Sequence, residues 1–153
     1  MARRIFGIAA LTFALVSCHT LLAGGIRPPV KATFQASKPD AMGKQTVTVT
    51  LQIEDGWHIY ANPVGNEGYA SNRVLFQATG AVVKVLYPPG EEKIGTAADG
   101  KKFTYNIHKG KVVIRAEVTR PSTPGPVELT LIYNACDANR CFPTNKDNKF
   151  KLE

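Results

Sequence analysis

Two cysteines five positions apart, Cys136 and Cys141, are the residues of this chain best placed for covalent chemistry. They stand in Leu129-Thr130-Leu131-Ile132-Tyr133-Asn134-Ala135-Cys136-Asp137-Ala138-Asn139-Arg140-Cys141-Phe142-Pro143. A strand pattern runs into the first cysteine, turn-forming residues follow, and the chain resumes at the second. If Asp137 to Arg140 close a hairpin loop, the two α-carbons lie ~4.5–5.5 Å apart as opposed residues of antiparallel strands, within disulfide range. Such a pair suits thiol–disulfide exchange, a structural staple or metal ligation. A bridge closing about six residues removes only ~2 kcal/mol of unfolded-chain entropy, against nearly ~5 for a hundred-residue loop, so it is a weak staple. A sulfur at a loop is within reach of another protein's thiolate. Arg140 favours a thiolate at its neighbour Cys141, whereas Asp137 opposes one at Cys136. Ligation needs two more donors at sensible spacing, and the sequence offers none, so neither metal nor cofactor is expected. Exchange and staple both remain open on chemistry alone.

The other candidates are weaker. Trp57 and Ile59 alternate with His58 and Tyr60, which places one pair towards the core and the other on the opposite face. Trp57 reads as a core anchor, as buried tryptophan is in many sandwiches. Were His58 near the cysteines, it could stabilise a thiolate or relay a proton. His108, beside Lys109-Gly110, reads as a solvated turn residue, and Glu91-Glu92 as solvated charge. No nucleophile elbow, phosphate-binding glycine loop, zinc-protease helix or dinucleotide fingerprint appears, so hydrolase chemistry has no support.

The elements that must position these residues read as strands. Thr46 to Ile53 alternates cleanly, with Val47, Val49, Leu51 and Ile53 on one face. Further strands are predicted at Trp57–Ala61, Arg73–Ala78, Ala81–Tyr87, Phe103–Ile107, Val112–Thr119, Val127–Asn134 and Lys149–Leu152. Turn chemistry separates them at Asn62-Pro63, Thr79-Gly80, Pro88-Pro89-Gly90, Lys109-Gly110 and Pro121 to Pro126. No long segment carries a helical apolar period. Many short strands with frequent turns predict an all-β fold, an immunoglobulin-like antiparallel β-sandwich. Gly90 to Lys102 is the longest stretch without strand character, which gives it weight as a functional loop.

Length and composition fit one domain with a real core: 153 residues, 44% apolar and 20% charged. The formal charge is +7, of which Arg3 and Arg4 supply two, leaving +5 beyond them. The lysines are scattered, and no basic run is interleaved with aromatics, so no nucleic-acid partner is expected. Residues 1–25 have the layout of a secretory signal: Arg3-Arg4, an apolar run from Ile5 to Val16, then small residues. That run is too short to cross a bilayer core of ~30 Å. Leu15-Val16-Ser17-Cys18 resembles a lipoprotein signal that would lipidate Cys18, and Leu21-Leu22-Ala23-Gly24 offers an ordinary cleavage site instead. By either route two of the three cysteines remain, and they can pair. The mature domain is then 26–153, touching a membrane only through an N-terminal lipid.

Tyr133-Asn134-Ala135-Cys136-Asp137, Cys141-Phe142-Pro143 and Asp55-Gly56-Trp57-His58-Ile59-Tyr60-Ala61 together resemble the N-terminal periplasmic domain of the thiol:disulfide interchange protein DsbD. Order and spacing agree from Val30 to the C-terminus. The resemblance implies an immunoglobulin-like sandwich, located in the periplasm or anchored facing it. Its cysteine pair would pass electrons from a membrane electron-carrier protein to exported thioredoxin-like or other thiol proteins. It casts Cys136 and Cys141 as the reacting pair and His58 and Tyr60 as supporting residues lining the site, while Asp137 and Arg140 count as supporting residues by their charge beside the cysteines. The rival expectation is a non-catalytic secreted binding module whose disulfide only fixes a loop. Three departures accompany the resemblance. The family's membrane-embedded and thioredoxin-like parts do not occur in these 153 residues, so the electrons would have to come from a separate protein. Four residues separate the cysteines, where family members often have five. Gly90 to Lys102, by position the family's shielding loop, holds no Phe, Tyr or Trp.

Overall fold

Alternating β-branched residues lay down the longest strands. The computed structural model describes residues 27–122 and 125–152. Strands β1 (Val30–Ala36) and β2 (Lys44–Ile53) form an antiparallel hairpin, and β2 sends Val47, Val49, Leu51 and Ile53 inward as its alternation predicts. β3 (His58–Tyr60), a 3-10 turn (Glu67–Asn72), β4 (Leu75–Thr79), β5 (Val82–Leu86) and β6 (Glu91–Thr96) follow. The chain continues through β7 (Lys102–His108), β8 (Lys111–Thr119), β9 (Val127–Tyr133), the two-residue β10 (Ala135–Cys136) and β11 (Asn145–Leu152).

These strands make three antiparallel sheets, ordered β1-β2-β8-β5, β10-β3-β7-β6 and β11-β9-β4. Val49, Leu51, Ile114 and Val118 of the first sheet and Phe76, Leu129 and Leu131 of the third belong to one buried cluster. Ile59 and Ala135 tie the second sheet to that same cluster. The architecture is the expected immunoglobulin-like sandwich, two layers closed on a shared apolar interior.

Gly90 to Lys102 differs from the expectation of a strandless loop. Its first half is β6, paired residue for residue with β7 from Glu91↔Ile107 to Thr96↔Lys102, and only a short turn at Ala97 to Lys101 joins them. β1 and β10 are likewise strands that the sequence pattern left unassigned. The segment 1–25 and Cys18 lie outside the described residues.

Candidate active site at the cysteine hairpin

Cys136 ends β10, and its strand is held to β3 by the pairs Ala135↔Ile59 and Cys136↔His58. Successive residues of a strand face opposite ways. Ala135 and Ile59 therefore enter the main core, while Cys136 and His58 share the other face, as do Tyr60 and its partner Ile107. Cys136 there joins a second, smaller apolar cluster with Tyr60, Val64 and Ile107, and Tyr69 and Tyr105 pack against it.

Cys136 and Cys141 form a disulfide, with α-carbons 3.9 Å apart. That is closer than the separation expected from idealised strands. The turn between them is fixed without the sulfurs. The Asp137 amide donates to the Arg140 carbonyl (2.9 Å), and the Phe142 amide donates to the Ala135 carbonyl (2.7 Å). Asp137 Oδ1 accepts from the amides of Asn139 (2.7 Å) and Arg140 (2.8 Å), the local bonding that makes aspartate a turn residue. Those two amides hold the Asp137 carboxyl below its usual range. The two sulfur-bearing residues are unequal, since Cys136 is 2% exposed whereas Cys141 is open to solvent.

Around this pair the supporting residues fall as follows. His58 is half-buried directly across from Cys136, and its ring meets Tyr60 edge-on at 5.6 Å. Burial pulls its imidazole below the ordinary value. Lys109 and, more weakly, Lys93 act in the same sense, and Asp137 opposes them. Tyr60 is raised by burial and by its neighbours Tyr69 and Tyr105. Arg140 does not stand free beside Cys141. Its guanidinium lies 5.8 Å above Trp57 and 6.0 Å from Phe142, with Nε 3.5 Å from Asp137 Oδ2.

Two residues behave differently from their sequence reading, and a third had none. Trp57 is half-buried, packs against the main core and meets Phe142 edge-on at 5.2 Å, so it braces the cysteine hairpin as well as the core. His108 is no solvated turn residue. It lies in β7 at 5% exposure, opposite Ile59, and burial lowers its pKa. The register with β3 draws it inward, although Lys109-Gly110 begins the turn immediately after it. Tyr69, which the sequence gave no reason to single out, stacks on Tyr60 at 5.0 Å and meets Tyr105 at 5.1 Å. An aromatic residue thus reaches the cysteine cluster from the 3-10 turn rather than from Gly90 to Lys102. Among the described residues no group of three or more His, Cys, Asp or Glu is arranged to hold a metal ion.

Similar architectures occur in three solved structures. The reduced N-terminal domain of DsbD from Neisseria meningitidis is 18% identical, with 69% of this chain and 74% of that chain covered and a TM-score of 0.48. The N-terminal periplasmic domain of ScsB from Proteus mirabilis is 14% identical with a TM-score of 0.51, covering 79% of this chain and 44% of that longer one. The third is a complex between the N-terminal domains of DsbD and PilB from Neisseria meningitidis, 18% identical, with 77% and 80% covered and a TM-score of 0.46. No curated protein matches the chain in sequence. Residues 26–152, however, match the family model described as thiol:disulfide interchange protein DsbD, N-terminal, and the chain belongs to that family.

Proposed function

We propose that this domain exchanges disulfides with partner proteins outside the cytoplasm, with Cys141 as the residue partners reach and Cys136 as the one that resolves. The reading is carried by the unequal exposure of a bonded pair at the tip of a hairpin, in a chain of this family.

Starting from the dithiol, the Cys141 thiolate attacks a partner's disulfide, forming a mixed disulfide and expelling a partner thiolate, which takes up a proton. The Cys136 thiolate then attacks Cys141 Sγ, closing the intramolecular bond and releasing the second partner thiol. Two electrons and two protons pass to the partner. His58, paired with Cys136 across β3 and β10 and lowered in pKa by burial, would accept the Cys136 proton. A membrane electron-carrier protein would restore the dithiol, and exported thioredoxin-like or other thiol proteins would consume it. The domain works in the periplasm, free or held by lipid at Cys18. Among the described residues no helix is long and apolar enough to cross a membrane.

Equilibration with glutathione redox buffers, read by thiol alkylation, tests this. A potential within the range of known oxidoreductases, ~−120 to −270 mV, is expected; one below about −300 mV marks a structural bond and leaves only a binding module.

A further inference from the structure

Arg140 carries a role that charge alone does not give it. Trp57 alternates with His58, and His58 shares a face with Cys136. Arg140 meets Trp57 at 5.8 Å and Phe142 at 6.0 Å, and Trp57 packs against the main core rather than the cluster that holds Cys136. Asp137 completes the arrangement at 3.5 Å from Arg140 Nε, having already bonded the Arg140 amide. One side chain thus connects the turn (Asp137), the segment leaving it (Phe142) and the residue that leads into β3 (Trp57).

We propose that Arg140 is a positioning residue, a clip that keeps the hairpin closed once its cysteines are reduced. This rests on the exchange reading above. With the disulfide intact, a covalent bond joins positions 136 and 141 and the clip is fully formed. After reduction, only the turn hydrogen bonds and the clip oppose opening. The two are linked: whatever the disulfide does to complete the clip, the clip does to favour the disulfide. The clip raises the effective concentration of one thiol at the other, so its removal makes the bond easier to reduce. Removal of the clip also slows the step in which Cys136 attacks Cys141 Sγ to release a partner.

The size follows from a cation stacked on rings at an exposed site. Removing it shifts the glutathione equilibrium about fivefold towards the dithiol, ~20 mV at 29.6 mV per tenfold for a two-electron couple. The arginine side chain is 65% exposed, so Arg140→Ala leaves the fold intact. By linkage the oxidised variant should lose at least that fivefold factor in its unfolding equilibrium and the reduced variant less, whereas a merely structural loss would weaken both forms alike.

The experiment measures the glutathione equilibrium constant of full-length wild type, Arg140→Ala, Arg140→Lys, Trp57→Leu and the Arg140→Ala/Trp57→Leu double variant. The expected results are a fivefold shift for Arg140→Ala, partial recovery in Arg140→Lys, and little further shift when Arg140→Ala is added to Trp57→Leu. A mixed disulfide with glutathione should also persist about fivefold longer in Arg140→Ala. Equal constants for wild type and Arg140→Ala, or additive effects of the two substitutions, overturn the clip. The wild-type constant alone decides the exchange reading, and the ratio between variants decides the clip, so either can fail separately.

Discussion

At the scale of single residues, the unequal exposure of the two cysteines makes a direct prediction. Cys136→Ser leaves an accessible thiol at position 141, whereas Cys141→Ser leaves a buried one at 136. Titration with a disulfide reagent should modify the first variant at least ~10-fold faster, since both access and thiolate character govern the rate. Equal rates would remove the basis for assigning attack to Cys141. The histidines set a pH dependence. His58 and His108 both have folded pKa values below their ordinary 6.5, because burial disfavours the imidazolium. The unfolded chain therefore binds protons first as pH falls, and stability that is complete above about pH 6.5 declines below it. Denaturant midpoints should fall between pH 7 and pH 5, and His108→Phe should flatten that slope. These residues differed in how far the sequence disclosed them. The cysteine pair was legible because spacing and turn chemistry act within a few residues. His108 was not, because its burial is decided by pairing with Ile59, forty-nine positions upstream. Tyr69 was not, because nothing local ties it to the cysteines.

At the scale of elements, alternation marked most of the strands whose one face meets the core, although β1, with Val30, Ala32 and Phe34 on that face, was left unassigned. β2, β8 and β9 were readable for that reason, each burying every second residue. β6 was not readable. Its Glu-Glu-Lys-Ile-Gly-Thr has one large apolar residue, Ile94, and that side chain faces solvent at 68% exposure. β6 is a strand because β7 offers it a ladder, with no apolar pattern of its own. Its entry depends on Gly90. A Cβ there would lie 2.6 Å from the Ala61 Cβ and 2.9 Å from the Asn106 Cβ. Gly90→Ala should cost about 1–3 kcal/mol in denaturant unfolding, by forcing β6 off its neighbours. An unchanged midpoint would show that this junction yields easily.

At the scale of the whole molecule, the scaffold and the site draw on different apolar clusters. Leu51 and Leu129 are fully buried in the large one. Truncating either to alanine should cost about 2–5 kcal/mol. Breaking the disulfide, which closes a sequence separation of only 5, should cost about 2 kcal/mol. Calorimetry of the oxidised and reduced forms should accordingly find the reduced domain folded, with the smaller loss; unfolding on reduction would mean that the bond holds the sandwich together. Ala135 and Cys136 are consecutive, yet their side chains enter the two different clusters. The single peptide link between them is a frontier: a substitution on one side disturbs the shared interior of the sandwich, and one on the other side disturbs only the small cluster beneath the disulfide. The surroundings of the disulfide can therefore change without refilling the interior that carries them.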